Sequence, residues 1–273
     1  SATDWSWAPL FADFDNDGWK DLFISNGILR DITNLDFVKY TSGYSSEYKE
    51  KNGNKTEMWQ LVQQMPSTKL NNYLFRNNHG LRFTDVTSDW GITKKSVNNG
   101  AAYADLDNDG DRDLVINTLN DRATIYRNNT SENKHAHFIR IRFKGEGKNT
   151  FGIGAKLYVK TAHSSQMQEE YTSRGFQSSV DPIMHVGLGA DSIIQSLTVK
   201  WPGGKESFLQ HIKADTLLVI DQSAASLPAN PGTGSPAMHP LFRDVTKNTG
   251  INFTDHQSAF VDFKISPLLP YQL

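Results

Sequence analysis

Two short stretches carry the residues best placed to do chemistry. In DFDNDGWKD, aspartates stand at Asp13, Asp15, Asp17 and Asp21, with Gly18 between the third and the fourth. In DLDNDGDRD the same pattern returns at Asp105, Asp107, Asp109 and Asp113, with Gly110 in the matching place. Carboxylates held about 4 Å apart repel by about 1 kcal/mol per pair in water and about 4 kcal/mol at an effective dielectric of 20. A hard divalent cation removes that cost, and calcium takes six to eight oxygens at about 2.4 Å. Alternate positions in a tight loop can aim their carboxylates at one centre, and a glycine permits the sharp turn.

An EF-hand is excluded. Its loop needs a bidentate Glu at position 12 and a helix on each side, whereas position 12 is Ile24 in one stretch and Ile116 in the other. Both stretches run into strand-like sequence, DLFIS and DLVIN. A nine-residue loop between two strands fits instead. Its ligands are the side chains at positions 1, 3, 5 and 9 and the backbone carbonyl at position 7, which is Trp19 or Asp111. Asp-Asn-Asp-Gly is also ordinary turn chemistry, but two copies in one repeated context point to two calcium sites. Catalytic use of these carboxylates is the weaker reading, because acid–base pairs need unlike environments.

The elements that must position the loops form a repeat. The first unit runs FADFDNDGWKDLFISNG (11–27), NYLFRNN (72–78) and LRFTDVTSDWGI (81–92). The second runs YADLDNDGDRDLVINTL (103–119), ATIYRNN (123–129) and LFRDVTKNTGI (241–251). Each reads as an Asp-rich loop, a strand, a strand ending in Arg-Asn-Asn, and a strand carrying Asp-Val-Thr. In the first unit Arg76-Asn77-Asn78 is followed almost at once by Asp85-Val86-Thr87. In the second, Arg127-Asn128-Asn129 waits until Asp244-Val245-Thr246, so a long block is inserted between two strands of one repeat. Such an insertion is tolerated because loop-closure entropy grows only logarithmically with length. The block has strand patterns of its own at 137–143, 155–161, 196–202 and 215–221. A smaller excursion, 28–71, interrupts the first unit, and Met58, Leu61, Val62 and Met65 give part of it helical spacing up to Pro66.

The predicted organisation is therefore two repeats over 1–134 with an excursion at 28–71, an inserted β-domain at 135–222 and a Pro/Gly/Ser-rich linker at 223–240. Residues 241–273 hold the last strand of the second repeat and the start of a third, as in a slice of a longer array with neighbouring repeats. Bulk properties bound the rest. The chain has 273 residues, a net charge of −2 and no cysteine. Nothing suggests a nucleic-acid partner, and disulfides, thiolate metal sites and a cysteine nucleophile are excluded. No apolar run is long enough for a transmembrane helix, and residues 1–11 do not read as a signal peptide. There is no Gly-x-Ser-x-Gly, phosphate loop or His-Glu-x-x-His. His135 and His137 read as a solvated pair rather than a metal site, Arg174 as an internal hydrogen-bonding residue, and Trp201-Pro202-Gly203-Gly204 as a strand end and turn.

The two Asp-rich stretches resemble the calcium loops of FG-GAP/VCBS repeats, as in integrin α-chain propellers and many bacterial surface proteins. The inserted block resembles the ASPIC/UnbV domain of cartilage acidic protein and its bacterial relatives. The residues that carry this are Gly152-Ile153-Gly154-Ala155, Arg174-Gly175-Phe176-Gln177-Ser178, His185-Val186-Gly187-Leu188-Gly189 and Leu197 through Gly204. The resemblance implies a mainly β fold: a partial β-propeller with an inserted small β-domain and a short helical excursion. It implies calcium as cofactor and an extracellular, non-enzymatic module for adhesion or for recognition of a protein or polysaccharide. Part of a polysaccharide lyase or hydrolase is the rival reading, and a structural scaffold is a third.

Overall fold

A computed structural model of the chain describes residues 5–31, 33–39, 63–133, 136–228 and 244–250, with the single positions 3, 242 and 253. The fold is mainly β, with fourteen strands in four sheets among the described residues. The chain divides into two units, Ser1–Ala229 and Asn230–Leu273. Among the described residues no helix is long and apolar enough to cross a membrane.

The two repeats fold alike. In the first, β1 (Ser6–Ala12), β2 (Asp21–Asn26), β3 (Tyr73–Asn77) and β4 (Phe83–Asp85) form an antiparallel sheet in sequence order. In the second, β5 (Asn98–Ala104), β6 (Asp113–Thr118) and β7 (Thr124–Tyr126) do the same with three strands. Registers match residue for residue: Ala12 pairs with Asp21 as Ala104 pairs with Asp113, and Leu22 pairs with Phe75 as Leu114 pairs with Tyr126. Even the irregularity repeats, between Ser6 and Pro9 in β1 and between Asn98 and Ala101 in β5. A bulge there lets β1 accept Pro9, which cannot donate to a ladder.

The period-2 alternation of each first strand sends Ala8, Leu10 and Ala12, and likewise Ala101 and Tyr103, into one shared core. Phe23, Leu74, Val86, Ile92, Leu114 and Ile116 complete it. Ser25 ties the sheets together, its hydroxyl accepting from the Ala8 N–H (3.0 Å) and donating to the Asn99 carbonyl (2.5 Å).

The excursion begins and ends at a narrow neck. Ile28 and Thr68 form an antiparallel bridge, and the Asp31 N–H donates to the Pro66 carbonyl at 2.9 Å. Residues 35–39 are helical, a turn the sequence reading did not anticipate, begun by Asn34, whose side chain accepts from the Phe37 N–H (3.0 Å). The expected helical turn over Met58–Met65 falls largely outside the described residues, as do His135, residues 229–240 of the linker and most of the proposed third repeat.

The expected last strand of the second repeat is not a strand where described. Asp244 instead makes an Asx turn, accepting from the Thr246 N–H at 2.9 Å, and Thr246–Asn248 is a 3-10 turn. The matching turn in the first repeat, Asp85 Oδ1 to the Thr87 N–H at 3.0 Å, has the same form. The local signal repeats, but no pairing partner is seen for it among the described residues.

The inserted block is a two-sheet sandwich. β8 (His137–Lys144) lies between β11 (Ile183–Gly189) and β14 (Thr216–Asp221), and it runs parallel to β14. The facing sheet has the order β10 (Ser165–Glu169), β9 (Lys156–Lys160), β12 (Ile193–Lys200), β13 (Glu206–Lys213). Ile139, Ile141, Leu157, Val159, Val186, Leu197 and Val199 fill the space between. The four strand patterns read from the sequence became β8, β9, β12 and β14. β10 and β13 are too polar to stand out, and β11 is hidden by its glycines. Trp201 is buried, donates from Nε1 to the Ser207 hydroxyl (2.9 Å) and opens a turn closed by its N–H to the Lys205 carbonyl (2.9 Å).

The sandwich packs directly against both Asp-rich loops. A Cβ on Gly187 would lie 2.1 Å from Asp13 Oδ2 and 2.7 Å from the Asn16 backbone. Gly187→Ala should therefore destabilise the protein by about 2–3 kcal/mol through overpacking, with a lower thermal midpoint as the readout. An unchanged midpoint would show that this contact does not bear on stability.

Candidate metal centre

Each Asp-rich loop joins the first two strands of its sheet, and the same hydrogen bonds shape both. Asn16 (φ 57°) and Asn108 (φ 64°) take the left-handed conformation that asparagine tolerates, followed by Gly18 (φ 91°) and Gly110 (φ 93°). The position-1 carboxylate accepts from the glycine N–H: Asp13 from Gly18 at 2.8 Å, Asp105 from Gly110 at 3.1 Å. The position-5 carboxylate accepts from the N–H two residues on: Asp17 from Trp19 at 2.8 Å, Asp109 from Asp111 at 2.9 Å. The position-9 carboxylate is a clamp. Asp21 accepts from the N–H groups of Phe14 (3.0 Å) and Asn77 (2.9 Å), and Asp113 from those of Leu106 (2.9 Å) and Asn128 (2.8 Å).

The expected ligands converge only in part. In the first loop Asp13, Asp15 and Asp21 bring one oxygen each within 4.8 Å of one another, and all three are buried. Asp17 lies outside that group. In the second loop the close group is Asp105, Asp107 and Asp109, more exposed, with Asp113 outside it. Trp19 and Asp111, expected to lend backbone carbonyls, also have side-chain roles. The Trp19 ring stacks on His79 at 5.7 Å between centroids. The buried Asp111 carboxylate accepts from the Asn16 side chain (3.0 Å) and the Ser131 N–H (2.6 Å).

One detail separates these loops from ordinary acidic turns. Asp13 Oδ1 and Asp105 Oδ1, the same atom at the same loop position, are both buried and have no hydrogen-bond partner. A buried acceptor left this way costs about 1–3 kcal/mol, and more if it is charged. An oxygen-seeking cation satisfies both atoms. Burial, reinforced by Asp17, raises the Asp13 carboxyl well above its ordinary range. Burial also raises Asp21 to about 7, against the pull of its two backbone donors. In the second loop Asp109 is pushed up by burial, while Asp107 is held down by the Arg127 guanidinium.

The sequence reading used Arg-Asn-Asn only as a repeat marker and missed what it does. Arg76 Nε lies 2.9 Å from Asp15 and Nη2 lies 3.4 Å from Asp17. Its Nε hydrogen finds no hydrogen-bond geometry, so the Asp15 contact is an ion pair. Arg127 matches it, at 2.7 Å from Asp107 and 3.2 Å from Asp109. The following asparagine holds the loop end, Asn77 Nδ2 donating to the Lys20 carbonyl (3.1 Å) and Asn128 Nδ2 to that of Arg112 (3.2 Å). The repetition of the triplet beside each loop was the available signal.

Sequence alone did not show that distant residues join the loops to the sandwich. Arg140, on β8, pairs with Asp105 and donates to Asn108 Oδ1 (3.1 Å). His185, on β11, meets Asn16 Oδ1 through Nε2 at 2.6 Å. Asn16 Nδ2 already donates to Asp111, so Oδ1 is the acceptor and His185 carries its proton on Nε2. Burial, with Arg112 and Arg140 nearby, lowers the His185 pKa far below its usual value, so the ring is neutral. Gly189 N–H donates to the Asn16 carbonyl (2.9 Å), and Arg112 donates to the His185 carbonyl (3.1 Å).

The remaining candidates have other roles. His137 pairs with Asp215 at 2.7 Å on the surface. Arg174 lies over the Tyr171 ring, 3.9 Å from its centroid.

With this geometry in view, comparison with known families gives one result. Residues 145–227 match the family model described as ASPIC and UnbV. The chain carries an ASPIC/UnbV domain. No curated protein matches the chain. The match starts one residue after β8, although β8 is the middle strand of its sheet. It contains the His185–Gly189 segment that seats the first loop.

The pKa directions set the pH dependence of cation binding. Asp13 and Asp21 must lose their protons before they can bind a cation, and burial raises both, Asp21 to about 7 and Asp13 well above the ordinary carboxylate range. The gain in melting temperature on adding calcium should be largest near pH 8 and shrink steadily toward pH 5. In metal-free protein the sign reverses for these groups. The folded state holds more protons than the unfolded one above pH 4, so their contribution weakens as pH rises toward 7. Calcium-dependent melting that is flat from pH 5 to 8 would count against Asp13 and Asp21 as ligands.

Proposed function

We propose that this chain is a calcium-stabilised binding module that works outside the cell, built on two FG-GAP/VCBS-type repeats of a β-propeller and an ASPIC/UnbV domain. Two calcium ions are assigned, one to each loop. The observation that carries the reading is the pair of buried, unpartnered Oδ1 atoms on Asp13 and Asp105. Asp15 and Asp21 complete the first set, Asp107 and Asp109 the second. Calcium here is structural: it neutralises a hairpin loop that also bears on the sandwich. At a dissociation constant of about 0.1 mM and about 2 mM calcium, each site adds about 1.8 kcal/mol. At cytosolic calcium it adds almost nothing, which favours an extracellular or cell-surface location. The matching registers and bulges of the two sheets support the propeller assignment. The partner is a protein or a polysaccharide, and the activity is recognition or adhesion.

The rival reading, part of a polysaccharide lyase or hydrolase, has one observation in its favour. Glu170 is raised to about 7 by burial and Lys20 is lowered to about 8, mainly by burial with Arg112 and Arg174 adding to it. Their cavity measures about 20 Å³, room for about one water and too small for a sugar ring.

Metal-stripped protein should melt about 5 °C higher for each site that calcium fills. Calorimetric titration should show two sites. Asp15→Ala should remove one and Asp107→Ala the other. If calcium moves neither the parent's melting temperature nor the titration heat, the loops are acidic turns and the calcium reading fails.

A further inference from the structure

The outer face of one sandwich sheet carries a row of apolar side chains that the fold does not use. Met167 pairs directly with Tyr158, Tyr158 with Thr198, and Thr198 with Phe208. Directly paired residues point to the same side of a sheet, so the four form one line across all of its strands. Their neighbours along the strands, Leu157, Val159, Leu197 and Val199, point the other way into the core. The row is open, with Met167 56%, Tyr158 38% and Phe208 61% exposed.

The rows on either side are polar. One is Glu169, Lys156, Lys200 and Glu206, and the other is Ser165, Lys160, Ser196 and Gln210. Lys200 leans toward the apolar row, its ammonium 5.6 Å from the centre of the Tyr158 ring and 3.5 Å from Glu206.

This pattern points away from a protein partner. The centre of a protein–protein interface is broad and depleted of Lys, Glu and Ser, whereas this row is one residue wide between such residues. A polysaccharide has the complementary cross-section. Each pyranose ring offers a C–H face for an aromatic side chain and a rim of hydroxyls for flanking donors and acceptors. Tyr158 and Phe208 stand two strands apart, about 9.6 Å at an interstrand spacing of ~4.8 Å. That separation suits alternate sugars of an extended chain.

We propose that the outer face of the β10–β9–β12–β13 sheet binds an extended polysaccharide laid across the strands. Sugar rings rest on Tyr158 and Phe208, and Lys156, Lys160, Lys200 and Gln210 engage the hydroxyls. The proposal rests on the recognition part of the reading above and not on calcium.

Affinity electrophoresis of the whole chain through gels containing hydroxyethylcellulose, xylan, glucomannan or alginate tests it. Migration should be retarded in at least one gel, and the Tyr158→Ala/Phe208→Ala double variant should bind that polymer at least tenfold more weakly. Both side chains are exposed, so the double variant should keep the parent's melting temperature. Phe151→Ala, an equally exposed aromatic outside this sheet, should be retarded like the parent. So should Asp107→Ala, which alters a calcium loop and leaves the sheet intact, so that failure of the calcium reading shows up separately. No retardation in any gel, or equal retardation of parent and double variant, overturns the proposal.

Discussion

Asn16 is the joint on which the three parts of the unit Ser1–Ala229 depend. Its backbone is left-handed, its side chain is buried, and both side-chain polar atoms and its carbonyl are hydrogen-bonded. Through Nδ2 it holds Asp111 of the other repeat's loop, through Oδ1 it holds His185 of the sandwich, and through its carbonyl it holds Gly189. A buried amide can be kept only if its partners stay in place, since each lost partner leaves an unsatisfied group costing about 1–3 kcal/mol. The loops, the two sheets and the sandwich are therefore held by one network and not by three separate ones.

That network explains why the segment His185-Val186-Gly187-Leu188-Gly189, inside the matched range 145–227, has its composition. Gly187 has no Cβ because the Asp13 carboxylate and the Asn16 backbone occupy that space. His185 stacks on Phe138, 5.5 Å between ring centroids, and Phe138 fills the space beside Gly110 of the second loop. A motif of the inserted domain is thus the seat of loops that belong to the repeats. The sandwich is docked on both loops through side-chain and backbone contacts.

Charge balance is the second theme. Each loop has a local arginine, Arg76 or Arg127, spread over the carboxylates at positions 3 and 5. Neither arginine reaches position 1. Both position-1 carboxylates keep an unpartnered oxygen, but Arg140 comes in from β8 to pair with the other oxygen of Asp105, whereas Asp13 is raised by burial. The two loops look equivalent in sequence but differ in what neutralises them, which makes the first the more electrostatically strained of the two without a cation.

The repeated Asp-rich loops and the alternating strands could be read from the sequence, because each depends on residues near one another in the chain. A turn needs its own glycine, and a strand shows its own alternation. β11 escaped because its glycines answer to a distant loop, and β10 and β13 escaped because their burial is decided across the sheet. The helical spacing of Met58–Met65 lies largely outside the described residues, while the helical residues 35–39 are too short to leave a periodic signal. The acidic clusters were legible as two lists of aspartates, but which carboxylates converge was not, since Asp21 joins the close group of its loop and Asp113, at the same loop position, does not. The sequence by itself determined where the carboxylates cluster and that they come in two matching loops. Only the tertiary structure decided which oxygens are buried without partners, which arginines answer them, and that His185 and Asn16 lock the loops to the sandwich. The reason is physical: burial and charge pairing are set by contacts between residues far apart in the chain, and no local pattern encodes them.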